Sequence, residues 1–180
     1  MKYLIANWKS NKTYAEATQW FEEFETLLST RRFVNEGVVV IAVPFPFIAL
    51  ASEWIHKWNT QFSQDDTQPV TMQLAVQDIS QFPAGSYTGA VCTRNLADFN
   101  VAFAIVGHSE RRRYLHETAM DVAAKVDQAL EAGITPIVCV DDPYLDEQAQ
   151  AIQKEHTSKI IVAYEALKTI GTGNNLSVSD

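Results

Sequence analysis

The sequence predicts an α/β fold in which buried parallel strands alternate with helices along the chain. First, its strand-like segments are continuously apolar and rich in β-branched residues, which is typical of strands buried on both faces. Second, segments with helical spacing of apolar residues separate these strands. Third, polar residues follow three of the strands directly, and sites in parallel α/β proteins lie at carboxyl strand ends. A doubly wound open sheet and a barrel both fit these observations.

Six segments are predicted to be strands because each is a short, mainly apolar run bounded by polar residues, glycine or proline. In chain order they cover residues 3–8, 38–43, 72–79, 101–106, 135–140 and 159–164. The second is closed by Pro44-Phe45-Pro46. Loops are predicted at residues 59–68 and 81–89, where polar residues or glycine and proline accumulate.

Five helices are predicted between these strands. The first opens at Thr13 with Glu16 three residues later, the pattern of a capping box, and continues with helical spacing to Leu28. The fourth carries apolar residues on one face from Ala119 onward and ends at Gly133, a residue typical of helix C-termini. The others cover residues 47–58, 92–99 and 144–155, the last of them polar and weak.

Composition limits the classes of function. A net charge of −8 over 180 residues argues against a nucleic-acid partner. The basic cluster Arg111-Arg112-Arg113 is interpreted as a surface helix start with local ion pairs. No apolar run approaches the ~18 residues that span a membrane. Cys92 and Cys139 lie far apart among apolar or small neighbours, which favours reduced, buried thiols in a cytoplasmic protein.

Three chemically useful side chains stand at predicted strand ends. Lys9 follows the first strand, His108 the fourth and Glu165 the sixth, and Gly171-Thr172-Gly173 comes soon after Glu165. Singly, each has an ordinary interpretation: a solvated rim carboxylate, a helix-capping histidine, a surface lysine. Together they suit removal of a proton beside a carbonyl on a phosphorylated substrate, which needs a base and a donor aimed at the developing oxyanion.

The surroundings of two of these residues predict their chemistry. Glu165 lies among Ala163, Tyr164 and Ile170, so we expect partial desolvation to make its carboxylate more basic. His108 precedes a helix start, where the positive helix end favours a neutral imidazole. No metal or organic cofactor is needed for this reaction. The remaining histidines lack ligand-like spacing.

Four motifs resemble those of the triosephosphate isomerase family. They are Ala6-Asn7-Trp8-Lys9-Ser10-Asn11-Lys12, Gly85-Ser86-Tyr87-Thr88-Gly89, Val106-Gly107-His108-Ser109-Glu110-Arg111-Arg112, and Ala163-Tyr164-Glu165 with Gly171-Thr172-Gly173. Each is moderately specific alone, whereas four in this order are highly specific. The resemblance implies a (β/α)₈-type barrel, of which one domain over residues 1–180 supplies six of eight strand–helix units, from the first strand to the loop after the sixth.

The resemblance also implies a reaction and roles for residues. The family interconverts dihydroxyacetone phosphate and glyceraldehyde 3-phosphate through an enediolate, a step of glycolysis and gluconeogenesis. Glu165 would be the base that shuttles the proton, and His108 would polarise the carbonyl. Lys9 would offset substrate charge beside Asn7, and the Gly171 backbone N–H would bind phosphate. The implied substrate is a small triose phosphate, without cofactor, nucleic acid or membrane.

Three further expectations follow from the resemblance. Ser109 and Glu110 would support the catalytic residues or begin the next helix. The loop Gln81–Gly89 would form dimer contacts, so a homodimer is expected. The hinge Ala166-Leu167-Lys168, where the family usually has Pro-Val-Trp, predicts an altered lid closure and more loss of phosphate as a side reaction.

Length and one loop depart from the family. A barrel of this class has eight strands and typically ~250 residues, so we expect this sequence to be a fragment with little activity and a tendency to aggregate. A naturally short relative in which two chains close one barrel is the rival interpretation. Asp141-Asp142-Pro143 replaces the usual Gly-Glu, and predicts a truncated fifth helix. A non-catalytic binding module and another sugar-phosphate isomerase remain alternative functions.

Overall fold

The computed structural model describes residues 2–30, 37–62 and 70–166. Its six strands follow one another in chain order within one sheet. The strand pairs β1–β2, β2–β3, β3–β4 and β5–β6 are all parallel. The strands are β1 Tyr3–Asn7, β2 Gly37–Val43, β3 Val70–Val76, β4 Val101–Val106, β5 Thr135–Val140 and β6 Ile161–Tyr164. The prediction of an α/β fold with six parallel strands is confirmed.

Helices separate the strands in the described part of the chain. They are α1 Tyr14–Thr30, α2 Ile48–Phe62, α3 Ser109–Leu115, α4 Ala119–Glu131 and α5 Leu145–Ala151, with short 3₁₀ helices at Phe45–Phe47, Thr93–Phe99 and Lys154–Lys159. The helix predicted over residues 144–155 is thus an α-helix of seven residues followed by a 3₁₀ turn. No described helix has the length and apolar character that crossing a bilayer would require.

The prediction of a loop over residues 59–68 was wrong at its start, because Asn59 belongs to helix α2. The residue lies inside α2, and its side-chain amide bridges to β3. Its Nδ2 donates to the carbonyl oxygen of Met72 at 2.8 Å, and its Oδ1 accepts from the Met72 N–H at 3.1 Å. A polar residue therefore satisfies the backbone of a neighbouring strand, and it continues the helix rather than ending it.

The chain divides into two compact units, and residues 1–77 with 95–104 form the first. In this unit β1, β2 and β3 pair in a continuous register, with Val39 opposite both Leu4 and Met72, whereas the β3–β4 register shifts between Leu74 and Ala75. Val40 and Ile41 are fully buried in its core. An aromatic group from the residue after β1 and from α1 and α2 packs beside this core, with ring centroids 4.6–5.8 Å apart, and comprises Trp8, Trp20, Phe21, Phe24, Trp54 and Trp58.

Helix α1 begins as predicted in this first unit. The Thr13 N–H donates to Glu16 Oε2 at 2.6 Å, and the Glu16 N–H donates to Thr13 Oγ1 at 3.3 Å. These reciprocal bonds are the predicted capping box, and they satisfy two N–H groups that would lack helical partners. The capping box fixes where the chain turns from the loop after β1 into α1.

Residues 78–94 and 105–180 form the second unit. In it β5 and β6 pair with Cys139 opposite Ala163, and α4 buries Val122, Val126 and Ala129. Gly133 follows the end of α4 with a φ of 73°, as predicted for a helix-terminating glycine. Both cysteines are buried and neither is in a disulfide, as predicted. Burial raises the pKa of Cys139 to about 12, so this thiol is unreactive at neutral pH.

Candidate active site

The carboxyl end of β1 holds Lys9 in an unusual backbone conformation within the first unit. Lys9 has a φ of 52°, in the left-handed region that non-glycine residues rarely adopt. Its N–H donates to Asn7 Oδ1 at 2.9 Å, and its carbonyl oxygen accepts from Gln77 Nε2 at 3.1 Å. Gln77 also donates to the Ala42 carbonyl at 3.0 Å. Side chains from β1 and from the end of β3 therefore hold the turn on which Lys9 stands.

In the second unit, His108 lies between β4 and α3 and is the N-cap of that helix. Its Nδ1 accepts a hydrogen bond from the Glu110 N–H at 3.2 Å. Because Nδ1 is the acceptor, Nε2 is left as the donor nitrogen of a neutral ring. Nε2 lies 3.0 Å from Glu165 Oε1. His108 thus caps the helix and faces the candidate base at the same time.

Glu165 follows β6 and is bound at both its backbone and its side chain. Its N–H donates to the Val140 carbonyl oxygen of β5 at 2.7 Å. Its Oε2 accepts from the Ser109 N–H at 2.7 Å, and its Oε1 accepts from the Ser109 hydroxyl at 3.1 Å. The structure therefore brings Glu165, His108 and Ser109 together, and Glu110 contributes a backbone N–H.

The expectation that Glu165 is unusually basic is wrong for this arrangement. Burial does raise the pKa of Glu165, but hydrogen bonds from His108 and Ser109 favour the ionised carboxylate more strongly. The net pKa is below the ordinary value of 4.5. These donors are distant in sequence, so the apolar neighbours of Glu165 in the chain predicted the wrong direction for its pKa shift.

We expect Ser109→Ala to raise the pKa of Glu165, because the hydroxyl bond that favours the ionised form is removed. A lowered pKa stabilises the folded protein above pH 4.5, and that contribution is lost as the pH falls through the folded-state value. The variant should therefore lose stability at neutral pH but little at strongly acid pH. Titration of the ¹³C-labelled Glu165 carboxyl by NMR measures the shift, with Ser86→Ala as the exposed control. An unchanged Glu165 titration would contradict the prediction.

Gly107 links β4 to His108, and its lack of a side chain permits close packing at this turn. Its φ is 69°, and an added Cβ would lie 2.9 Å from Val122 Cγ2 and 3.0 Å from Arg112 Nη2. Val122 belongs to α4 and Arg112 to α3. Any side chain at residue 107 would therefore push against two helices at once.

We expect Gly107→Ala to destabilise the fold more than Gly133→Ala. Both glycines have positive φ, 69° and 73°, so both substitutions incur the left-handed cost of about 1–2 kcal/mol. Only Gly107 adds steric overlap, since nothing lies within 4 Å of a Cβ at Gly133. That overlap should cost about 1–3 kcal/mol more. Urea unfolding of the two variants gives the difference, and equal losses would show that the packing at Gly107 adjusts freely.

Arg112 corrects the prediction that residues 111–113 form a surface cluster. Arg112 is buried, and its Nη2 donates to the carbonyl oxygen of Cys139 on β5. Its Nη1 lies 3.8 Å from Asp141 Oδ1, and its guanidinium lies 4.8 Å from the Tyr144 ring centroid. A partial signal for this burial was present in the sequence, because Asp141 is an acidic residue directly after a buried strand.

The ion-pair part of that prediction holds for Arg111. Arg111 Nη2 lies 2.7 Å from Asp78 Oδ2, and its Nε lies 3.1 Å from Glu117 Oε2. Lys125 Nζ contacts the same two carboxylates, at 2.6 Å from Asp78 Oδ1 and in a short contact with Glu117 Oε1. The sequence did not reveal this cluster of four charged residues, because Asp78, Glu117 and Lys125 lie on separate segments of the chain.

Gly171 and the hinge residues Leu167 and Lys168 lie outside the described residues. Asp142, from the loop that departs from the family pattern, accepts from the Tyr164 hydroxyl at 2.7 Å. Among residues 2–30, 37–62 and 70–166, no three His, Cys, Asp or Glu side chains are grouped so as to hold a metal ion.

Comparison with known proteins gives a consistent result along the whole chain. The family profile described as triosephosphate isomerase matches residues 2–180. A triosephosphate isomerase of Mesomycoplasma hyorhinis is 38% identical over 94% of this chain and 70% of its own length. One from Thermus thermophilus is 35% identical over 99% of the chain and 72% of its own, and one from Paracidovorax citrulli is 34% identical over 96% and 69%.

The matches agree with the geometry and with the predicted class of fold. Six parallel strands in chain order, with helices between them, are the beginning of a (β/α) barrel, as predicted. The chain spans about 70% of the length of the relatives it matches. On these grounds the chain belongs to the triosephosphate isomerase family.

Proposed function

We propose that this chain interconverts dihydroxyacetone phosphate and D-glyceraldehyde 3-phosphate by proton transfer through an enediolate. The observation that carries the proposal is the pairing of His108 with Glu165, whose side chains meet at 3.0 Å and are each 13% exposed. A base and a hydrogen-bond donor placed together at strand ends are what removal of a proton next to a carbonyl requires. Family membership supplies the substrate class.

In this proposal Glu165 is the base that moves the proton between two carbons. Its carboxylate oxygens now accept from Ser109 and face His108, so Glu165 must release Ser109 before it can reach a substrate carbon. The bonds to Ser109 therefore hold a resting position for the base. The lowered pKa keeps the carboxylate ionised in that position, ready to accept a proton.

His108 acts as the donor that stabilises the enediolate oxygen. The Glu110 N–H donates to Nδ1 and leaves Nε2–H, which now faces Glu165 Oε1 at 3.0 Å, as the donor for a substrate carbonyl oxygen. Lys9 would offset the negative charge of the substrate, with Asn7 fixing the turn on which Lys9 stands. Gly171 would offer its backbone N–H to the phosphate. Each of these roles is part of the proposal.

We further propose a cytoplasmic homodimer that contacts its partner through the loop Gln81–Gly89. Phe82 and Tyr87 in this loop stack with centroids 4.4 Å apart, and each is 42% exposed. Two exposed, stacked rings form a rigid apolar surface of the kind that partner proteins cover. Two features of the loop therefore support dimerisation. They are its exposed apolar rings and its motif Gly85–Gly89, which resembles that of the family.

The experiment that tests the function is direct assay of the purified chain. Dihydroxyacetone phosphate is supplied in D₂O, and formation of glyceraldehyde 3-phosphate with deuterium incorporation is followed by NMR. A panel of larger sugar phosphates runs in parallel. Turnover restricted to the trioses, even at the low rate expected of this chain, supports the proposal. No turnover of trioses, or faster turnover of another sugar phosphate, would overturn it.

A further inference from the structure

We propose that Arg112 is a positioning residue, with Asp141 as its charge partner. It keeps a fixed separation between the two places where Glu165 is hydrogen-bonded. The inference rests on the proposed role of Glu165 as the base. It concerns how that base is held before it moves, and it assigns a task to two buried charges that the reaction itself does not use.

The first step of the argument is that Glu165 is attached to two different elements. Its backbone N–H is bound to Val140 at the end of β5. Its carboxylate is bound to Ser109 at the start of α3. A base held at two points has a defined position only when those points keep a fixed separation.

Arg112 joins the same two elements. It lies on α3, one turn after Ser109, and its guanidinium Nη2 donates to Cys139, the residue before Val140. The same nitrogen would meet a Cβ at Gly107 at 3.0 Å, so the side chain also packs against the end of β4. The buried Arg112 side chain thus reaches from the first turn of α3 to the ends of both β4 and β5.

Asp141 accounts for the charge of Arg112. Asp141 is 1% exposed and Arg112 is 6% exposed, and a buried charge needs a compensating partner. Arg112 Nη1 and Asp141 Oδ1 face each other at 3.8 Å, and neither atom has a hydrogen-bond partner within the described ranges. The Tyr144 N–H donates to the Asp141 carbonyl at 3.0 Å, and the Tyr144 ring lies against the guanidinium. The charge pair therefore anchors α3 to the loop after β5.

Loss of this anchor should displace the base without removing any group that binds substrate. A misplacement of about 1 Å can cost roughly 100-fold in rate. We expect Arg112→Met, which keeps the length of the side chain but not its donors or charge, to lower kcat by about 100-fold. KM should stay nearly unchanged, because the variant does not alter Lys9 or Gly171, the residues proposed to bind the substrate. Arg112→Lys, which keeps the charge, should recover part of the loss.

The first measurement does not depend on activity. In the full 180-residue chain, the Ser109 amide proton donates to a carboxylate, and its NMR shift reports that bond. Arg112→Met should move this resonance toward its position in Glu165→Gln. Arg113→Met is the matched control on the same helix, because Arg113 is exposed and its guanidinium rests over Tyr114. The control should leave both the resonance and kcat as in the wild type.

The outcomes separate the two proposals. An unchanged Ser109 amide in folded Arg112→Met, or an equal change in Arg113→Met, would overturn the positioning role. A wild-type chain without triose turnover would instead overturn the proposed function, while the NMR comparison still decides the positioning. If circular dichroism shows that Arg112→Met does not fold, Asp141→Asn is judged by the same amide shift and kcat criteria.

Discussion

Glu165→Gln is expected to lower kcat for triose isomerisation by about 100- to 10,000-fold, because a positioned general base contributes that much and an amide cannot accept the proton. The substitution preserves side-chain volume, so packing at the end of β6 should change little. The measurement is initial-rate kinetics in both directions of the reaction. Deuterium incorporation into substrate in D₂O should fall in parallel, since the same residue removes the proton.

Two companion variants make this result interpretable. Glu147→Gln, an exposed residue of α5, changes the net charge equally and should leave kcat within experimental error of the wild type. Glu165→Asp keeps a carboxylate but draws it back by one methylene, so it should retain more activity than Glu165→Gln. A glutamine variant within ten-fold of the wild type would show that Glu165 is not the base.

The strands were the most predictable part of this protein. Residues 101–106 and 135–140 form β4 and β5 with the predicted limits, because each is a mainly apolar, β-branched run followed directly by glycine or a charged residue. Helix α3 had no such signal. Its seven residues include Arg111, Arg112 and Arg113 and show no apolar periodicity. It is held by its His108 cap, which is a local contact, and by the burial of Arg112 against β5, which is a tertiary one.

The candidate site was predictable in its members but not in its electrostatics. His108 and Glu165 could be named because each follows a buried strand, and the ends of parallel strands lie at the same edge of a sheet. The sign of the Glu165 pKa shift could not be predicted, since it depends on hydrogen bonds to Ser109, 56 residues away in sequence. Buried charges were missed for the same reason, because their partners are not neighbours in the chain.

The charge cluster of Asp78, Arg111, Glu117 and Lys125 shows how much such partners matter. Its two cations and two anions balance, and each cation contacts both carboxylates. Lys125 is 3% exposed and Glu117 is 8% exposed. Burial raises the pKa of Asp78, although Lys125 and Arg111 oppose that rise. The carboxylates are therefore tolerated in the interior because the cations lie against them.

We expect Lys125→Met to reduce the free energy of unfolding by about 3–5 kcal/mol at neutral pH, since it leaves the buried Glu117 and the partly buried Asp78 carboxylates against Arg111 alone. Lys57→Met is the matched control, because Lys57 pairs with Glu25 at 3.0 Å but its side chain is 64% exposed. Such a surface pair contributes only about 0–1 kcal/mol. Urea unfolding of both variants measures the two losses.

The pH dependence of the Lys125→Met loss tests its cause. Without Lys125 the pKa of Asp78 should rise further, because an opposing cation is gone while burial remains. A group with a raised folded-state pKa destabilises the fold when it ionises and ceases to do so once it is protonated. The stability deficit of Lys125→Met should therefore shrink as the pH falls through the Asp78 pKa. A deficit of the same size at acid and neutral pH would mean that lost packing of the lysine side chain, rather than unpaired buried charge, destabilises the variant.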